Sequence, residues 1–212
     1  IQELIVKWRD GILNIAQTMS PNDLPNELNY ADLPATFASP EDAAAVVSIY
    51  APYVTDTSVT FEYDVPSVEE YRRRIEEIMQ FFPFFLLEED GVPVGYAYAH
   101  FFHPRKAYQW VCETTIYVAQ GHHKKGYASM LYGKLLDALK KQGFCEAIAI
   151  LGCPNEPSEG FHKAMGFQLI GTFDKAGFKL DQWHDVKWYG LELRKHEKNP
   201  AEPVPYSAIQ DK

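Results

Sequence analysis

The sequence predicts a mixed α/β (α+β) protein with strands in one central sheet and helices around it. Three observations carry this. Strand and helix patterns alternate from about residue 35 to residue 193. Several neighbouring strands follow one another without room for a crossover helix, which excludes a regular doubly wound sheet. The length, 212 residues, suits one domain with appendages and is enough to bury a real core.

Residues 1–33 stand apart as an extension. Leu4, Ile5, Trp8, Ile12 and Ile15 recur at helical spacing, which predicts an amphipathic helix. Ser20-Pro21-Asn22-Asp23 then reads as loop. The helix is expected to dock on its own domain or on a second subunit. The alternative is a membrane-surface helix, which wants a basic polar face, and this helix offers only Lys7 and Arg9. The first residues show neither a basic region nor a long apolar run, so no signal peptide is expected. The missing Met suggests that the numbering omits the true start.

The remaining elements follow in order. Residues 35–38 suit a short strand. Ser39-Pro40-Glu41-Asp42 supplies an N-cap, a proline at the first helical position and acids at the positive end of the dipole. It predicts a helix over 40–53. Ser67-Val68-Glu69-Glu70 reads as a capping box and opens a second helix with Val68, Tyr71, Ile75 and Met79 on one face. Residues 84–88 read as a strand, Asp90-Gly91 as a hairpin turn, and 92–102 as a long strand with Val94, Tyr96 and Tyr98 on one face. A loop at 103–106 leads to a strand over 110–118. The helix over 127–142 puts Ala128, Leu131, Leu135 and Leu139 on its buried face and stops at Gly143. A short strand (147–151), a brief helix (158–165) and two strands (167–173 and 183–193) complete the domain, set at 34–195. Residues 196–212 are Pro-rich and polar and read as a tail.

Composition narrows the function. Twenty-nine acidic side chains against 20 Lys and Arg give a formal charge of −9. That argues against a general nucleic-acid binder or an anionic-membrane binder. No apolar run approaches a membrane span. Cys112, Cys145 and Cys153 are odd in number and have no metal-like spacing, so they read as reduced thiols of a cytoplasmic protein.

The most informative segment is 118–129, between a strand and the long helix. Unsatisfied N–H groups at a helix start, with the dipole behind them, suit a phosphate. Lys124 and Lys125 add charge, while Gly126 and Ala128 remove bulk. Gly121 and Gly126 have Walker-loop spacing, but Tyr127 stands where that loop needs Lys. The three glycines of a dinucleotide fingerprint are absent. A plain strand-to-helix loop with a solvated basic face is the competing reading. His122 and His123 are adjacent and lack a third ligand, so no metal is expected.

His123-Lys124-Lys125-Gly126-Tyr127-Ala128 resembles the Gln/Arg-x-x-Gly-x-Gly/Ala signature of the GNAT N-acetyltransferases, with His123 where Gln or Arg is usual. The phosphinothricin N-acetyltransferase-like branch is resembled over a longer span. Its pieces, in order, are Ser58-Val59-Thr60-Phe61, Gly95 to Ala99, Pro104 to Trp110, Glu113, Ile116-Tyr117-Val118, and Gly152 to Asn155. Phe161-His162, Gly166-Phe167, Gly177-Phe178-Lys179, Trp183 and Asp185 follow. The resemblance covers about residues 35–195. It implies a mostly antiparallel GNAT sheet, acetyl-CoA as co-substrate, a small amino acid or analogue as acceptor, and a homodimer.

The resemblance also implies roles. Glu113 stands at the general-base position, and His162 stands where many GNAT enzymes carry a Tyr that protonates the departing thiolate. Structural roles, as a salt-bridging carboxylate and a satisfied histidine, compete with these. Ile116, Tyr117 and Val118 would meet the pantetheine arm. His123, Lys124, Lys125, Gly126, Tyr127, Ala128 and Ser129 would cradle the pyrophosphate. Asn155 would contact the cofactor, with a helix N-cap as its competing role. Arg105 and Lys106 would hold the substrate's acidic groups, and Phe61 and Tyr108 would wall the pocket. Gln109 stands where the branch often has Arg. Alternatives are acetylation of a protein or peptide and a catalytically silent coenzyme A-binding module.

Overall fold

The computed structural model describes residues 35–210; the helix expected within 1–33 lies outside them. The elements are β1 (Ala35–Phe37), α1 (Ala43–Asp56), α2 (Val68–Met79), β2 (Phe84–Glu89), β3 (Val92–Phe101), β4 (Val111–Val118), α3 (Tyr127–Gln142), β5 (Glu146–Cys153), α4 (Glu156–Ala164), β6 (Gln168–Lys179) and β7 (Gln182–Glu192). The seven strands form one sheet in the order β1-β2-β3-β4-β5-β7-β6. This is the mixed sheet expected from the alternation.

Only β4 and β5 pair in parallel, because α3 carries the chain back between them as a crossover. Their ladder is short: Val111–Glu113 face Glu146–Ile148, and no register continues beyond. On its other edge β4 stays paired to β3 as far as Val118. The sheet therefore splits on one side of β4 while remaining whole on the other.

Both faces of β2 are covered, which explains its unbroken apolar run. Phe84 and Leu86 pack with Val46, Ile49 and Ile75 of α1 and α2. Phe85 and Leu87 pack with Leu131, Leu135 and Leu139 of α3 on the opposite face. Successive strand residues point to opposite faces, so one strand serves two cores.

The helix starts differ from expectation in detail. Ser39 does open a helix, but its first turn is a 3₁₀ turn over Pro40–Asp42. The Asp42 carboxylate accepts from the Ser39 N–H (2.6 Å) and hydroxyl (3.0 Å). At Ser67 only half of the expected capping box forms. Its Oγ accepts from the Glu70 N–H at 3.1 Å, while the Glu70 carboxylate pairs with Arg74 one turn on.

The C-terminal segment is not a loose polar tail. Val204 donates its N–H to the Gln142 carbonyl (2.9 Å), and Tyr206 donates to the Phe81 carbonyl (2.8 Å). The buried Gln142 amide donates to the Phe81 and Val204 carbonyls at 2.8 and 2.9 Å. The Tyr206 ring lies 5.1 Å from that of Phe37. Two backbone hydrogen bonds, the Tyr206 ring and one buried amide thus strap the segment to the sheet's α3 side. β6 runs longer than expected, because Leu180 and Asp181 adopt left-handed conformations (φ 50° and 59°) and close a tight hairpin with β7.

Candidate active site

Where β4 parts from β5, a cleft of about 1040 Å³ opens between them. Glu113–Val118 form one wall, Ala149–Gly152 the other, and the starts of α3 and α4 close its ends. Among the described residues, the β5-side backbone of β4 has no sheet partner past Glu113. Strand backbone groups are obligatory hydrogen bonders, so this edge is suited to an extended polar ligand.

The N-terminus of α3 lines the cleft through Gly126, Tyr127, Ala128 and Ser129. Gly126 takes φ 83°, and the helix has no side-chain cap. Its first intrahelical bond is Met130 N–H to the Gly126 carbonyl, 3.1 Å. The first-turn N–H groups and the dipole behind them make an anion site. The preceding loop is held from α1. The Tyr53 hydroxyl donates to the Val118 carbonyl and lies 2.8 Å from His123 Nε2. With that proton committed, His123 donates through Nε2. Burial pushes the Tyr53 phenol up to about 12, so it stays a donor at neutral pH.

At the other end stands Glu113. Its carboxylate lies 3.8 Å from His100 Nε2. Burial raises its pKa above the ordinary carboxylate range, with His100 pulling the other way. A carboxylate shifted upward is a better proton acceptor near neutral pH than an exposed one.

Phe61 and Thr60 form a lip over the cleft, and two glycines make room for it. A Cβ at Gly177 would come within 2.2 Å of the Phe61 ring, and one at Gly152 within 2.5 Å of the Ser58 carbonyl. The buried Lys179 donates from Nζ to the Thr60 carbonyl at 2.8 Å.

His162 lines the same cleft from α4. It is 4% exposed. Nδ1 lies 2.8 Å from the Ser158 carbonyl, and Nε2 lies 3.2 Å from the Tyr132 hydroxyl. Thr114 Oγ1 donates to the Ile148 carbonyl at 3.0 Å, so the Tyr132 proton goes to Thr114 and the Tyr132 oxygen accepts from Nε2. Tyr132 in turn meets Thr114 Oγ1 at 2.6 Å. Burial lowers the His162 pKa.

The structure brings together in one cleft Glu113, Ile116, Tyr117, Val118, His123 and Lys124, with the four helix-start residues, Asn155 and Phe61. Asn155 also fills its competing role, because Oδ1 caps α4 by accepting from the Ser158 N–H at 3.4 Å. Four expected residues lie elsewhere. Lys125 turns to Glu89, 3.2 Å away. Lys106 is exposed and pairs with Glu202 at 3.0 Å. Arg105 is exposed beside it, and Tyr108 packs on Phe102 and His103 outside the cleft. His122, within the loop expected to meet the pyrophosphate, also lines the cleft, and Tyr53 and Val59 line it without having been singled out as site residues. Tyr53 sits in α1 at an ordinary core spacing, so only the fold reveals it. Among the described residues no cluster of three His, Cys, Asp or Glu could hold a metal. Among them, too, no helix is long and apolar enough to cross a membrane.

The cleft joins a helix end suited to an anion, an open strand edge and a shifted carboxylate. The sequence agrees: residues 36–188 match the family model described as acetyltransferase (GNAT) domain. The chain belongs to the GNAT acetyltransferase family. It is 36% identical to phosphinothricin N-acetyltransferase of Streptomyces viridochromogenes, over 90% of this chain and 98% of that one. It is 27% identical to the L-methionine sulfoximine/L-methionine sulfone acetyltransferase of Salmonella typhimurium, over 76% and 94%. Among solved structures, a phosphinothricin acetyltransferase from Sinorhizobium meliloti in complex with AcCoA superposes with a TM-score of 0.76. That pair is 31% identical, over 82% of this chain and 99% of the other.

Proposed function

We propose that the protein transfers an acetyl group from acetyl-CoA to the amine of a small amino acid or analogue of the phosphinothricin or methionine sulfone and sulfoximine type. The observation that carries this is the pairing, in one cleft, of the uncapped α3 N-terminus with Glu113. The relatives' substrates support the acceptor class. The α3 N-terminus, with Lys124 and His123, fits the pyrophosphate, and the open edge of β4 fits the pantetheine arm. Acetyl-CoA supplies the acetyl group as a thioester, whose C–S bond breaks as the new C–N bond forms.

Glu113 takes the proton that the amine must lose, directly or through water. Amines are mostly protonated at neutral pH, so this step is required before attack. His162 is a positioning residue here. It ties α4 to α3 through Tyr132, and the departing thiolate takes its proton from solvent. Phe61 covers the acceptor end.

A homodimer fits the exposed apolar side chains of the β6–β7 hairpin, among them Phe173, at 66%, and Trp183, at 61%; light scattering at micromolar concentration tests it. The three buried, unpaired cysteines support a reducing compartment such as the cytoplasm. The acidic charge supports small molecules over nucleic acid or membrane as partners.

The test is thiol release from acetyl-CoA with methionine sulfone, methionine sulfoximine, phosphinothricin, ordinary amino acids and basic peptides. Turnover is expected with the first group. Turnover with peptides alone would replace the acceptor class.

A further inference from the structure

Glu89 is the last residue of β2 and precedes the Asp90-Gly91 turn, both of whose residues are left-handed (φ 53° and 79°). It lies outside the cleft lining, yet three groups of the donor-binding loop converge on its carboxylate. Lys125 Nζ donates to Oε2 at 3.2 Å, and His122 Nδ1 lies 3.2 Å from the same oxygen. The Tyr127 hydroxyl donates to Oε1. These contacts bracket Gly126, with two before it and one after. They reach the chain where Lys124 (φ 61°) and Gly126 (φ 83°) both take left-handed conformations, which Lys rarely adopts unaided. The hydrogen bond from Tyr127, then the Lys125 ammonium, holds the Glu89 pKa below the ordinary range, so the clamp is charged at neutral pH.

We propose that Glu89 is a positioning residue for the donor: it fixes the loop over 121–127 from the β2–β3 turn and so sets the affinity for acetyl-CoA. This rests on the acetyl-CoA reading above. The loop then works by presenting backbone N–H groups in a fixed shape, and the Lys125 charge is spent on holding that shape. A rival arrangement makes the opposite forecast. If Glu89 merely competed with phosphate for Lys125, its removal would release the ammonium and tighten binding.

The experiment is calorimetric titration of the full chain with coenzyme A, together with steady-state kinetics. E89A should weaken coenzyme A binding and raise KM for acetyl-CoA roughly tenfold, as loss of a charge-assisted clamp implies. The kcat at saturating donor and the KM for the amine should stay within about twofold, a split that general destabilisation would not give. E89Q keeps the acceptor without the charge and should fall between. E88Q, at the exposed neighbouring position, should match the wild type. If E89A does not fold, K125M and Y127F each remove one anchor and should each raise KM several-fold. Wild-type protein that does not bind coenzyme A would sink the acetyl-CoA reading and the proposal with it. Wild-type binding, with E89A binding as tightly or more tightly, would overturn the positioning role alone.

Discussion

Glu113 and His100 are direct register partners across β3 and β4, and the carboxylate lies 3.8 Å from the imidazole Nε2. Residues opposite one another in an antiparallel pair share a face, so the pair belongs to the same side of the sheet. Burial raises the Glu113 pKa, and His100 restrains that rise. The cleft thus contains a carboxylate whose pKa is raised by burial and held back by a neighbour on the adjoining strand.

Glu113→Gln removes the proton acceptor while keeping shape and hydrogen bonding. It should lower kcat by about 10²–10⁴, the usual span for a general base. Coenzyme A affinity should be unchanged, because the phosphate end of the cleft is untouched. Stopped-time product assays and calorimetry on the same preparation check both halves.

The pH profile follows from the same pair. Glu113 works only when deprotonated, so kcat/KM should fall as pH drops through its raised pKa. The acid limb should lie above the ordinary carboxylate range. His100→Leu removes the group that lowers this pKa and should move the limb to higher pH. A limb that stays in place would detach His100 from the site.

His162 is expected to matter for stability and to leave the chemical step alone. His162→Phe removes one of the two partners of the Tyr132 hydroxyl, which keeps Thr114, at a cost of about 1 kcal/mol. Thermal or urea unfolding reads the loss, while kcat should change by less than about threefold. The pKa of His162 is depressed by burial in the fold. The unfolded chain therefore binds the extra proton first. Stability from this site is present above the unfolded value of about 6.5 and declines as pH falls below it, down to the depressed native pKa.

Gly152→Ala should open the lip. Its Cβ would meet the Ser58 carbonyl, a backbone atom, at 2.5 Å, so the segment carrying Thr60 and Phe61 must move. Overpacking of this kind costs about 1–3 kcal/mol. The KM for the amine should rise more than the KM for acetyl-CoA.

The helix over 127–142 was legible to the residue, because both of its ends are local events. Gly126 and Gly143 each adopt a left-handed conformation at their caps. The order of strand and helix patterns, with neighbouring strands too close for a crossover helix, likewise showed the mixed sheet. The split between β4 and β5 was not legible, since it depends on where a three-residue parallel ladder stops. Lys125 and Lys106 looked like ligand-binding charges within their own segments. Their partners, Glu89 and Glu202, sit far away in sequence, and only the fold shows that these charges are already neutralised. The C-terminal strap hid for the same reason, with its key residue, Gln142, at the end of a helix in the middle of the chain. His162 carried the expected residue type, but its contacts with Ser158 and Tyr132 join residues of two helices and show only in the fold.

The most direct test of the account is a single-turnover experiment with protein loaded with acetyl-CoA and mixed with methionine sulfone. Mass spectrometry follows the acceptor, and thiol titration follows coenzyme A. The account predicts one N-acetylated acceptor for each coenzyme A released by the wild type, with the same release slowed by orders of magnitude in Glu113→Gln. Tight acetyl-CoA binding with no acetylated product from methionine sulfone or its analogues would contradict it.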